Sequence, residues 1–188
     1  MIVRKDLNYS STDVNIFAET RYARSDNNDI YAIDGYSLFR NDSPSSCGVR
    51  PYVGTAVYSC VDYYPGYPYC RNTNGVEITV LRFLNLPHVT IIGVYHSPRV
   101  PLRQLCVALN ELLNQPLLRT KIFIGDFQVN WCIETERAPL HDLFARNKYR
   151  QLVSCCTTDN KTCIDHVYAT LPATHVNLII LDHMLGIF

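Results

Sequence analysis

A fold of β-sheets covered by helices, α/β in the broad sense and α+β in arrangement, is what this chain predicts, and three observations carry that prediction. Eight short runs are rich in β-branched and aromatic residues and are bounded by Asn, Asp, Pro or Gly. Two longer runs place leucines every three or four residues and fall between those strands. With 188 residues and 47% hydrophobic content, the chain is long enough for one sizeable core and too short for two comfortable ones.

The strand candidates, in order, are VNIFA (14–18), YSLFR (36–40), TAVYSC (55–60), VEITVLRFL (76–84), VTIIGVY (89–95), KIFIG (121–125), CIDHVYA (163–169) and VNLIIL (176–181). NLPH at 85–88 reads as the turn of a hairpin joining two of them. One helix fits PLRQLCVALNELLNQP, where Leu102, Leu105, Leu109 and Leu112 share a face until Pro116 closes the run. A second fits RAPLHDLFARNKYRQL, with Pro139 near its start and Leu140, Leu143 and Phe144 on one side. DYYPGYPYCRNTNG (62–75) is aromatic, proline-bearing and turn-rich, and reads as a long surface loop.

Seventeen basic residues balance seventeen acidic ones, so the field of the whole molecule points to neither nucleic acid nor membrane, and any polyanion must be held locally. The eight cysteines include no Cys-x-x-Cys pair and no Cys/His set at zinc-finger spacing, which argues against a structural zinc site. MIVRKDLNYSSTD has no apolar stretch of signal-peptide length, so the expectation is an intracellular protein, nuclear or cytoplasmic, with mostly reduced thiols. No segment reaches the ~18 apolar residues of a membrane span.

Three apolar runs end in a carboxylate: VNIFA in Glu19, KIFIG in Asp126, and VNLIIL in Asp182 followed by His183. One such ending is a turn; three suggest a shared rim, by analogy with open α/β sheets whose ligands collect beyond the carboxyl ends of the strands. Asp165, inside CIDHVYA, adds a fourth acid in an apolar setting. Buried carboxylates call for a divalent cation or a histidine partner. Oxygen donors without a soft sulfur set favour magnesium or manganese, and magnesium characteristically keeps water and binds phosphate. The combination points to phosphate-ester chemistry, with the cation neutralising the phosphoryl oxygens and a His–Asp pair activating water. Read singly, each residue has a plainer alternative: Asp126 in a turn, Glu19 paired with Arg21 or Arg24 at the surface, and the tyrosines of 63–69 packing their own loop rather than stacking on bases.

The pieces VNIFAETR (14–21), GVYHSPR (93–99), IGDFQVNW (124–131), TCIDHVYA (162–169) and LDHMLGIF (181–188) resemble, in order, the motifs of the endonuclease/exonuclease/phosphatase superfamily, and most closely the endonuclease modules of mobile elements. The resemblance covers nearly the whole chain. It implies a single domain over 1–188 with a two-sheet β-sandwich flanked by helices, and a magnesium- or manganese-dependent hydrolase acting on phosphodiesters, with DNA as substrate. It implies Glu19 as the main metal ligand with Asp182 near the same metal, His183 on the attacking water or the phosphate, and Asp165 orienting that imidazole. Asp126 would position the nucleophile or serve the leaving oxygen, and Tyr95 would border the phosphate.

The sequence departs from the pattern in three places. Gln128 stands where Gly-Asp-Phe-Asn has its phosphate-steadying asparagine, Leu181 stands where a serine usually precedes Asp-His, and the leading strand with its metal-site asparagine has no counterpart before MIVRKDLNYSST. The expectation is therefore a domain lacking its first strand and incomplete at both ends. A phosphatase or phosphodiesterase for a small molecule or lipid headgroup, and a degenerate inactive copy, stand as alternatives.

Overall fold

The computed structural model describes residues 12–20, 22, 25–42, 54–63, 66, 68–73, 75–115, 120–170, 178–181 and 184–187, the last two segments by their backbone alone. Eleven strands are seen among them. They are β1 (Val14–Phe17), β2 (Tyr36–Asn41), β3 (Thr55–Cys60), β4 (Tyr69–Thr73), β5 (Val76–Arg82), β6 (Val89–His96), β7 (Thr120–Asp126), β8 (Arg150–Gln151), β9 (Asp165–Ala169), β10 (Leu178–Leu181) and β11 (Met184–Ile187). Helix α1 spans Leu102–Leu113 and α2 spans Glu134–Arg146. The strands form a five-stranded sheet, ordered β10-β11-β1-β3-β2, and a six-stranded sheet, ordered β4-β5-β6-β7-β9-β8. Only β6 and β7 run parallel, joined through α1; the other pairings are antiparallel.

Strand alternation sorts the six-stranded sheet into two faces. Leu81, Ile91, Ile122, Ile124 and Val167 face the first sheet and pack on Val14, Ile16 and Val57. Ile78, Ile92, Val94, Phe123 and Tyr168 face the other way, under Leu105 and Leu109 of α1 and Leu140, Leu143 and Phe144 of α2. The result is an α+β sandwich of two sheets, as the sequence predicts, with α1 and α2 together over the outer face of the six-stranded sheet. The outer face of the first sheet carries a smaller cluster around Tyr22, Ala56 and Tyr58.

Each leucine expected on α1 is buried or packed against the core. The helix is tied down at its C-terminal end by Lys121, whose buried ammonium donates to the carbonyls of Leu112, Leu113 and Gln115 at 2.6, 3.0 and 3.0 Å. A cation at that end satisfies carbonyls left without intrahelical partners. The structure corrects the start of α2, which begins at Glu134 rather than Arg137. Glu134 and Glu136 occupy its first turn, and Pro139 lies inside the helix.

The predicted loop over 62–75 is also corrected. Its second half is β4, an edge strand paired with β5 through Tyr69↔Val80 to Thr73↔Val76. Its residues are exposed or half-buried, so no hydrophobic alternation marks it. The two-residue β8 falls inside the run expected as the second helix, which ends at Arg146, and the final β11 is absent from the sequence-based reading. The seven described cysteines are free thiols. No helix among the described residues is long and apolar enough to cross a membrane.

Gly125 lies one residue before the strand-end Asp126 at φ +145°, where a Cβ would come within 1.9 Å of the Val94 carbonyl oxygen on β6. Glycine is therefore required for β6 and β7 to stay paired next to the site. Gly125→Ala is expected to destabilise the fold by about 3 kcal/mol or more, read as a lowered denaturation midpoint with unchanged slope.

Candidate active site

The faces described above decide which polar side chains meet. Tyr95 on β6 lies opposite Asp126 on β7, and Asp126 lies opposite Asp165 on β9. Cross-strand partners point to the same face, so these three residues form one row on the side facing the first sheet. β1 delivers Glu19 to the same place from across the sandwich. Glu19, Asp126, Gln128 and Asp165 line one cleft of about 330 Å³ with Thr157 and Thr158, and no described Lys, Arg or His shares that lining.

Glu19 is exposed and has φ +52°, an unusual backbone for a residue with a side chain. Its Oε1 accepts the Tyr95 hydroxyl at 3.0 Å. Tyr95 is fully buried, and burial, reinforced by the Glu19 charge, raises its phenol well above its ordinary value. It therefore acts as a fixed, protonated donor.

Asp126 is 9% exposed. Its Oδ1 accepts the Gln128 amide N–H at 3.0 Å and its Oδ2 accepts the Gln128 side-chain amide at 2.7 Å. Burial first, then the neighbouring Asp165 charge, raises its carboxyl to about 7, against the opposing effect of the two Gln128 bonds. A carboxyl titrating near neutrality is suited to giving or taking a proton. Asp165 is raised by burial as well, with hydrogen bonding from Thr157 opposing. Gln128, at φ +50°, turns its amide back onto Asp126, so in this arrangement it orients that carboxylate.

Two histidines that follow row residues in the sequence support the loop after Asp126. His96 is buried on the helix side, and its Nδ1 lies 2.9 Å from the Phe127 carbonyl oxygen. His166 is fully buried and stacks on Phe127 with ring centroids 5.1 Å apart. Its Nε2 lies 2.9 Å from the Val129 oxygen and 3.1 Å from the Cys163 oxygen. These carbonyls require Nε2 to carry the proton, and burial lowers the imidazole to about 4, so it stays neutral. The signal was an imidazole directly after two of the three row residues: alternation sends Tyr95 and Asp165 toward the first sheet and His96 and His166 beneath the loop.

The structure thus brings Glu19, Tyr95, Asp126, Gln128 and Asp165 together, while Asp182 and His183 lie outside the described residues. Among the described residues, no three His, Cys, Asp or Glu side chains converge closely enough to form a ready-made metal cage. What the described cleft offers is carboxylate oxygen from Glu19, Asp126 and Asp165, the donor class hard cations take.

Neither a family profile nor a curated protein sequence matches the chain. Solved structures do. The endonuclease domain of TRAS1, a telomere-specific non-LTR retrotransposon, superposes with a TM-score of 0.60 at 13% identity over 96% of this chain and 85% of that one. Truncated TDP2 of Caenorhabditis elegans gives 0.60 at 12% identity over 98% and 86%. The mannosyl-6-phosphatase of Bacteroides thetaiotaomicron gives 0.57 at 12% identity over 99% and 84%. The chain has the fold of an endonuclease/exonuclease/phosphatase-type domain, a fold shared by nucleases and phosphatases.

Proposed function

We propose that this protein hydrolyses phosphodiesters with a divalent cation, magnesium or manganese, and that its substrate is DNA, cut internally. The observation that carries this reading is the row Tyr95–Asp126–Asp165 meeting Glu19 in one cleft. Glu19 would hold the cation, with Asp182 contributing nearby as the motif resemblance implies; the bound cation would supply charge neutralisation at the phosphoryl oxygens. Tyr95 keeps Glu19 oriented. Asp126, titrating near neutrality, exchanges a proton with the water or the leaving oxygen, and Asp165 would hold the imidazole of His183 for the same purpose. Support for nucleic acid comes from the mobile-element motifs and from likeness to a retrotransposon endonuclease domain.

The test is nicking of supercoiled plasmid in magnesium, comparing the wild type with His183→Ala. We expect a loss of about 100-fold or more in the variant; equal rates would assign the activity to a contaminant. A second reading, a phosphatase or phosphodiesterase for small esters, is favoured by the zero net charge and the likeness to a sugar phosphatase. It gains if bis-p-nitrophenyl phosphate is cleaved while plasmid and oligonucleotides are left intact.

A further inference from the structure

Glu77 extends the row of the cleft by one strand, since it lies opposite Tyr95 on the neighbouring β5. It is fully buried on the face toward the first sheet. Both carboxylate oxygens lie 3.1 Å from the Gly54 amide nitrogen, and Oε1 also takes the Asn72 side-chain amide at 3.3 Å. Neither partner is charged, so the burial is costly and packing does not account for it.

Its partner explains it better. Gly54 has φ +112°, a backbone that only glycine adopts without strain, and its carbonyl accepts the Thr20 N–H at 3.1 Å. Thr20 follows Glu19, whose own φ of +52° is held against its intrinsic preference. Glu19 is thus fixed from two sides: Tyr95 grips the carboxylate, and Glu77, through Gly54, grips the peptide that presents it. A strained backbone persists only where its surroundings over-determine it, and these two neighbours in one row supply that restraint.

We infer that Glu77 is a positioning residue for Glu19, acting through the Gly54 N–H and the Gly54 carbonyl to Thr20 N–H bond to set the geometry of cation binding. This rests on the reading of Glu19 as the cation's ligand. Two readouts test it: Mn2+ affinity by titration, and hydrogen-exchange protection of the Thr20 amide in metal-free protein. Glu77→Ala is expected to weaken Mn2+ binding about tenfold or more and to deprotect Thr20. Glu77→Gln, which keeps an acceptor for Gly54, is expected to restore most of both. Val80→Ala, a core truncation on the opposite face of the same strand, should lower the melting temperature and leave both readouts at wild-type levels. Should the alanine variant fail to fold, Glu77→Asp, one methylene too short for Gly54, carries the same expectation. Wild-type Thr20 protection and Mn2+ affinity in the Glu77 variants, or equal losses in Val80→Ala, overturn the inference alone. Mn2+ binding that is indifferent to Glu19→Gln overturns the reading of Glu19, and this inference with it.

Discussion

Asp126→Asn is expected to lower the magnesium-dependent hydrolysis rate by about 10³-fold or more while making the metal-free protein more stable at alkaline pH. The first half follows from position: Asp126 sits at the centre of the cleft row and titrates at about 7, so asparagine removes a cleft carboxyl poised to exchange a proton near neutrality. The second half follows from the direction of the shift. A carboxyl whose folded value is raised holds its proton more tightly in the folded chain than in the unfolded one. Its ionised form therefore opposes folding: the penalty is absent below the ordinary value of 3.8, grows between 3.8 and 7, and is complete above 7. The ceiling on that penalty is roughly 4 kcal/mol, reduced because asparagine offers one acceptor to the two Gln128 donors instead of two. In chelator at pH 8 the variant should melt several degrees above the wild type, at about 2–4 °C per kcal/mol for a chain of this size, and the gap should narrow toward pH 5. A purely structural aspartate would give the opposite pairing, unchanged catalysis with altered stability, so thermal melts and single-turnover rates on the same preparations decide the matter.

Glu19→Gln is expected to abolish the dependence of activity on the divalent ion and to cut the rate by at least about a thousandfold. The substitution is nearly isosteric and retains an acceptor for the Tyr95 hydroxyl, so the unusual backbone at this position is left in place. What it removes is charge at the only exposed carboxylate among the described residues of the cleft. Because Glu19 is exposed, little change in stability should accompany the loss. Calorimetric titration with Mg2+ is the direct check: binding at wild-type strength in the variant would remove Glu19 from the cation site, and the proposed chemistry would lose its anchor.

The architecture was largely legible because period and punctuation carry it. The β-branched and aromatic content of VTIIGVY and KIFIG, and the leucine spacing of α1, gave strands and a helix close to those observed. β4 left no trace because an exposed, polar edge strand has no face to bury, and the tyrosines and Pro-Gly punctuation leading into it resemble loop chemistry. At the site, strand-terminal acids pointed to Glu19 and Asp126, yet register could not be read from any one strand. That Asp126 stands opposite both Tyr95 and Asp165 is a property of three strands aligned together. Glu77 escaped notice for a related reason. In VEITVLRF it occupies what looks like the outward polar position of a half-buried strand, and only the second sheet lying over that face reveals it as buried.

The pairing of Tyr95 with His96 and of Asp165 with His166 on opposite sides of one sheet has a practical consequence for altering this protein. The side toward the first sheet can be rewritten by exchanging Tyr95, Asp126 or Asp165 for groups with a different appetite for protons, while the buried imidazoles behind keep the following loop in shape. Chemistry and scaffolding share the same dipeptides but not the same face of the sheet, so each can be tuned with the other held constant.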